Sequence, residues 1–139
     1  GKAFRQFVYR NIGTKATVDQ ANAAQYILHT HKYIDHNRVA IWGWSGGGSM
    51  SLNALFRYPN IYTTAVSVAP VPDMHLYDTI YQERYMDTPT DNPIGYIHGS
   101  PVQFVKNMLE SQNLLLVHGT FVWVLVGFLY MHIVYGYRY

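Results

Sequence analysis

The sequence contains no cysteine. That excludes a disulfide framework, thiol catalysis and cysteine-ligated zinc, and it leaves the compartment open. Charge is also scarce, at 13% of residues against about 25% in ordinary globular chains. Ten Lys and Arg against eight Asp and Glu give a net charge of +2, too little to argue for a nucleic-acid partner or a polybasic membrane patch. The scarcity is local: after Glu110 there is no acid, and Arg138 is the single charged side chain. The basic opening (Lys2, Arg5, Arg10, Lys15) has no apolar run behind it, so it does not read as a secretory signal. There is no initiator Met, no internal repeat and no low-complexity tract. Both ends are expected to be cuts through a larger domain. What is abundant is aromatic: 16% of the 139 residues, including 13 Tyr. The length suits one domain able to bury a core of its own.

Periodicity orders the chain. Thr17-Val-Asp-Gln20 has a capping-box pattern, and Ala21, Ala24, Ile27 and Leu28 recur at helical spacing, predicting a helix over about 18–31. Arg38 to Trp42 is a short apolar run behind a turn, as expected of a strand buried on both faces. A second apolar helix carries Met50, Leu52, Ala54, Leu55 and Phe56 and stops before Pro59. A strand is expected over 63–69, and a tyrosine-rich helix over 73–86. Residues 88–99 read as loop, 100–108 as a helix opened by Ser100-Pro101, and 114–117 as a third strand. Alternating helices and strands predict an α/β protein with a parallel sheet.

Between the first strand and its following helix lies Gly43-x-Ser45-x-Gly47. The pattern alone is common, and an incidental serine in a glycine-rich turn would produce it. Its context is more specific. A catalytic serine at a strand-to-helix turn needs strained backbone that lifts its hydroxyl above the sheet. It also needs neighbours without side chains two residues away, where strand and helix almost touch. Gly46 would then offer its N–H to a developing oxyanion. A phosphate loop is disfavoured because no Gly-Lys-Ser/Thr follows, and G-x-G-x-x-G is not matched.

The segment Ile41-Trp-Gly-Trp-Ser-Gly-Gly-Gly48 resembles the nucleophile segment of prolyl oligopeptidase family serine peptidases, in their dipeptidyl peptidase IV-like branch. Val68-Ala-Pro-Val71, Tyr77-Asp-Thr-Ile-Tyr-Gln-Glu-Arg-Tyr-Met86, Gly99-Ser-Pro101 and Leu116-Val-His-Gly-Thr120 continue the likeness in order. Phe4-Arg5, Ile12-Gly13 and Asp19-Gln20 fit upstream. The likeness covers residues 1–120, and it implies a partial α/β-hydrolase fold, truncated at both ends, followed by an anomalous apolar tail over 121–139. It implies that Ser45 is acylated, that Gly46 serves the oxyanion hole, and that Tyr77, Tyr81 and Val71 line a small apolar pocket for substrate. Many relatives carry Tyr after the serine where this chain has Gly46; an amide donor tolerates that change. The tyrosine spacing by itself equally suits core packing, which stays the expectation for Tyr85. The implied partner is a peptide. The parent would carry an N-terminal β-propeller, form a homodimer, and be periplasmic, secreted or membrane-anchored. No cofactor or metal is implied, and the seven His show no clustered zinc spacing.

In such a hydrolase the triad runs Ser, then Asp, then His. The resembling family places its acid just past His-Gly-Thr. Here Phe121-Val-Trp-Val124 follows His118-Gly-Thr120, and no Asp or Glu comes later. The expectation is a chain nearly inert by itself, since losing triad partners costs orders of magnitude. His118 has no triad role in the family, and His132 has the right order but no acid near it in sequence. The apolar run to Tyr135 allows three origins: an altered or out-of-frame tail, which is favoured, a membrane span, or a core strand with a helix. An esterase-type hydrolase and a non-catalytic membrane or interaction protein are the alternative functions.

Overall fold

The structure is a computed structural model that describes residues 1–119 and 131–135. A helical turn α1 (Lys2–Arg5) precedes α2 (Lys15–Thr30) and strand β1 (Ala40–Trp44). Helix α3 (Gly46–Arg57) and strand β2 (Thr64–Val68) follow. After a 3-10 turn (Met74–Leu76) come α4 (Thr79–Met86), α5 (Pro93–Gly99) and a 3-10 helix (Pro101–Asn107). Strands β3 (Asn113–Gly119) and β4 (Met131–Tyr135) complete the described chain.

The sheet order is β1-β2-β3-β4. The first three strands are parallel, in register Gly43↔Ser67↔Leu116 and Trp44↔Val68↔Val117, as the α/β alternation predicts. The fourth runs antiparallel to β3, with Leu115 opposite Tyr135 and Gly119 opposite Met131. A parallel return needs a crossover of a dozen or more residues, and only 120–130 separate these strands. The expected tail lies outside the described residues except for β4. Among the described residues no helix is long and apolar enough to cross a membrane.

Side-chain alternation gives the sheet two unlike faces. Ala65 and Ser67 are fully buried, and Ile41 and Leu114 also pack toward the core under α2 and α3. That core joins Ala21 and Leu28 of α2 to Leu52, Leu55 and Phe56 of α3. The offset positions Trp42 and Trp44 are 73% and 64% exposed.

Several boundaries differ from the sequence expectation. Helix α2 starts three residues early; Thr17 lies inside it, fully buried, and its hydroxyl donates to Gly13 O rather than capping. The expected single helix over 73–86 is interrupted at Tyr77, whose backbone is extended. Asp78 there accepts from Tyr81 N at 2.8 Å and starts α4 afresh as its N-cap. Part of the expected loop over 88–99 is α5, nucleated by the Asn92 side chain accepting from Gly95 N and by Pro93 in the first turn.

Candidate functional site

Both β1 and β2 end in a residue with left-handed backbone. Ser45 follows Trp44 with φ 55° and ψ −119°, and Ala69 follows Val68 with φ 45°. Such conformations cost about 1–3 kcal/mol each for non-glycine residues and persist only where surroundings enforce them. Here the enforcement is visible. The Ser45 N–H donates to Val68 O at 2.8 Å, and the Ala69 N–H to Val117 O at 2.7 Å. The turn therefore hangs from the sheet itself.

The glycines around Ser45 meet a steric demand. A Cβ on Gly43 would lie 2.3 Å from the Gly47 carbonyl carbon and oxygen, so strand and helix touch backbone to backbone. A Cβ on Gly48 would lie 2.7 Å from Val68 O, and that closeness lets the buried Ser67 hydroxyl donate to Gly48 O at 2.9 Å. Gly46, by contrast, has nothing near its Cβ position. It is the first residue of α3, where N–H groups have no intrahelical acceptor and the helix dipole favours negative charge. The arrangement exposes a hydroxyl beside an N–H that has no acceptor among the described residues, above the strand ends.

These groups border a cavity of about 370 Å³, within the range of small-ligand sites. Ser45, Gly46, Val71, Tyr77 and Tyr81, the five residues singled out from the sequence, all line it. So do residues the sequence reading did not select: Ser49 and Met50 one turn along α3, Met74, and Gln82 and Tyr85 on α4. The segment before α2 adds Val8, Ile12 and Gly13, and the first turn of α2 adds Ala16. A spacing of four from Ser45 along the helix is the signal that would have found Ser49; nothing local marks Val8 or Ile12, which reach the site through the tertiary fold.

Tyr77 and Tyr81 meet edge to face with ring centroids 5.5 Å apart, and Tyr81 and Tyr85 lie 4.9 Å apart. The three rings form one wall although Tyr77 is outside the helix. Tyr85 is 39% exposed and belongs to this wall rather than to the core. Loss of water raises the Tyr81 phenol above its ordinary pKa, reinforced by Tyr85, Tyr77 and Asp78, so it is neutral at physiological pH.

Val71 is held by its backbone. Its N–H donates to the Ser49 hydroxyl at 2.8 Å, and that hydroxyl lies 3.1 Å from Val71 O. One turn of α3 thus clamps the pocket wall to the serine turn. From the far side, His118 Nε2 lies 3.2 Å from Pro70 O and Nδ1 2.8 Å from Gly119 O, bracing the segment that leads to Val71.

Away from Ser45, Asp73, His75 and Ser100 form an Asp–His–Ser grouping that is structural. Asp73 Oδ1 accepts from the His75 N–H at 3.0 Å and faces its Nδ1 at 2.8 Å. Burial raises the Asp73 carboxyl, but the His75 N–H, the imidazole and the Ser100 hydroxyl outweigh it, and its pKa is lowered. Ser100, however, is fully buried; its hydroxyl donates to Tyr96 O at 2.7 Å and accepts from Met74 N at 2.9 Å. Such a serine is unavailable as a nucleophile. Among the described residues no group of three His, Asp or Glu could hold a metal ion.

One polar group on the cavity wall stands out. Gln82 is 4% exposed, and its Nε2 has no hydrogen-bond partner among the described residues. An orphaned buried donor costs about 1–3 kcal/mol.

Parallel strands, a strained serine between strand and helix, and a cavity at the strand ends define an α/β-hydrolase architecture. The family model described as the prolyl oligopeptidase family matches residues 1–121. The chain belongs to that family. It is 41% identical over 120 residues to a protein of Botryotinia fuckeliana named "Probable dipeptidyl-aminopeptidase B", covering 86% of this chain and 13% of that one. Over 123 residues it is 36% identical to dipeptidyl aminopeptidase A of Saccharomyces cerevisiae, covering 87% of this chain and 13% of the relative. The crystal structure of Porphyromonas gingivalis dipeptidyl peptidase 4 superposes with a TM-score of 0.78 at 37% identity, over 84% of this chain and 16% of that one. The chain thus spans about an eighth of the length of the curated relatives it matches.

Proposed function

We propose that this chain carries the nucleophile and the side-chain pocket of a serine-type dipeptidyl-aminopeptidase-like catalytic domain. The observation that carries the proposal is the convergence of the strained Ser45, the free Gly46 N–H and the wall of Val71, Tyr77 and Tyr81 on one cavity. In this reading a proline or alanine side chain of a peptide enters against the tyrosines. The Ser45 hydroxyl attacks the following carbonyl carbon, and the Gly46 N–H receives the oxyanion. The amine leaves, and water releases the acyl group from Ser45. Attack requires a base to take the Ser45 proton and an acid to hold that base. No Asp or Glu follows Glu110 in this sequence, so the 139-residue chain by itself is proposed to bind but hardly to turn over. Residues 1–120 constitute the hydrolase part in this proposal, and 121–139 an appended apolar tail. Recognition of the substrate's free amine is assigned to a propeller outside this chain.

Methyl NMR tests the binding half, because Met50 and Met74 both line the cavity. Ala-Pro amide should shift both methionine methyls, and Tyr77→Ala or Tyr81→Ala should abolish the shift. Ala-Pro p-nitroanilide should not be hydrolysed measurably above buffer. Rapid turnover of acyl esters with no methyl response to the peptide would instead identify an esterase.

A further inference from the structure

Besides Ser45 and Ala69, two non-glycine residues hold a positive φ: Arg10 at 62° and Asp87 at 65°. With ψ −173°, Asp87 occupies a backbone region that is almost exclusive to glycine. It ends α4 two positions past Tyr85, while Arg10 lies between Val8 and Ile12 on the segment before α2. The two strained residues face each other. Arg10 Nη1 is 3.6 Å from Asp87 Oδ2, and Arg10 Nη2 donates to Asp91 O. Neutral bonds run alongside. The Arg10 N–H donates to Tyr85 O at 2.8 Å and the Ile12 N–H to Met86 Sδ at 3.2 Å. The Asn92 side-chain amide donates to Arg10 O at 3.0 Å and to Met86 O at 2.8 Å.

We infer that Arg10 and Asp87 are positioning residues, whose ion pair latches the segment carrying Val8 and Ile12 to the end of α4 and so holds Tyr85 in the cavity wall. The inference rests on the proposed reading of that cavity as the seat of a peptide side chain. Glycine at position 87 would leave the neutral bonds in place and relieve the strained backbone. What aspartate adds there is a carboxylate opposite Arg10. Neither Arg10 nor Asp87 lines the cavity, so their effect reaches a peptide through Tyr85. The two side chains are 41% and 35% exposed, which keeps the contribution of the pair small.

The test measures Asp87→Asn, Asp87→Gly and Arg10→Met in the full chain. Affinity for Ala-Pro amide is read from the Met50 and Met74 methyl shifts, and stability from the urea midpoint. Each variant should bind about threefold more weakly, the scale of one half-exposed ion pair. The double variant Arg10→Met/Asp87→Asn should bind no more weakly than either single one, because both remove the same interaction. Asp87→Gly separates positioning from stability: its urea midpoint should not fall below that of the wild type, while its affinity does. Weaker binding by Asp87→Asn with tighter binding by Arg10→Met would reveal only the field of two charges on the peptide's amine, and overturns the latch. Unchanged affinities, or an Asp87→Gly chain that loses affinity only together with its urea midpoint, also overturn it and leave the pocket reading standing. Absence of any methyl shift in the wild type overturns the pocket reading, and the latch with it.

Discussion

The two sides of the cavity are built on different physics. The serine side is fixed by backbone: Gly43 against Gly47, Gly48 against Val68, and the Ser45 N–H bonded into the sheet. The tyrosine side is fixed by half-exposed rings leaning on one another, with Tyr81 46% and Tyr85 39% exposed. A backbone contact has no soft coordinate through which to relax, whereas an exposed ring can move aside at little cost. The serine side should therefore punish small changes in stability, and the tyrosine side should tolerate large ones with the effect falling on binding.

Substitutions can sharpen that contrast or break it. Gly43→Ala forces its methyl into the Gly47 carbonyl at 2.3 Å and should lower stability by about 4 kcal/mol, read from the urea midpoint. Asn53→Ala should cost about 2–3 kcal/mol. Its fully buried amide bonds Gly99 O at 3.0 Å and accepts from Arg57 Nε at 2.8 Å, tying α3 to the end of α5. Ser45→Gly acts in the other direction: removing a side chain from φ 55° should raise stability by about 1 kcal/mol, even though it deletes the proposed nucleophile. Tyr81→Ala should cost less than about 1 kcal/mol, as expected of a half-exposed side chain, while abolishing the peptide-induced methyl shifts. A loss for Tyr81→Ala as large as that for Gly43→Ala would erase the distinction between the two sides.

The smallest effect is one that acid removes. The folded-state pKa of Asp73 is lowered below the ordinary carboxyl value, so its ionised form favours the native state. That contribution is complete above the unfolded-state carboxyl pKa and disappears as pH falls through the lower folded value. The stability gap between wild type and Asp73→Asn should be full at pH 6 and close toward pH 2. A gap that widened in acid would show that the His75 bracket does not act through the carboxylate.

The same contrast explains what the sequence revealed. The serine turn was legible because its constraints are local: a buried strand, small residues at 43 and 47, and an apolar helix within a few positions. The tyrosine wall was half legible. The spacing of 77, 81 and 85 suggested one helical face, yet Tyr77 reaches the wall from extended backbone, because Asp78 restarts the helix. Asp78 and Asn92-Pro93 are capping residues that the expected single helix and the expected loop passed over. The burial of the Gln82 amide without a partner among the described residues was not legible, because only packing reveals it. The contribution of Val8 and Ile12 depends on a chain crossing that no local pattern encodes.

The hydrogen bond from Ser45 N–H to Val68 O has a further consequence, in the rate at which the backbone trades protons with water. The Ser45 amide belongs to the sheet ladder and should exchange deuterium only when β1 and β2 separate, an opening close to global unfolding. The Gly46 amide, at the open first turn of α3, has no such partner among the described residues and should exchange at nearly the rate of a free peptide. Adjacent amides would then differ by orders of magnitude in exchange rate, placing the boundary between the rigid sheet and the solvent-facing donor at a single peptide unit.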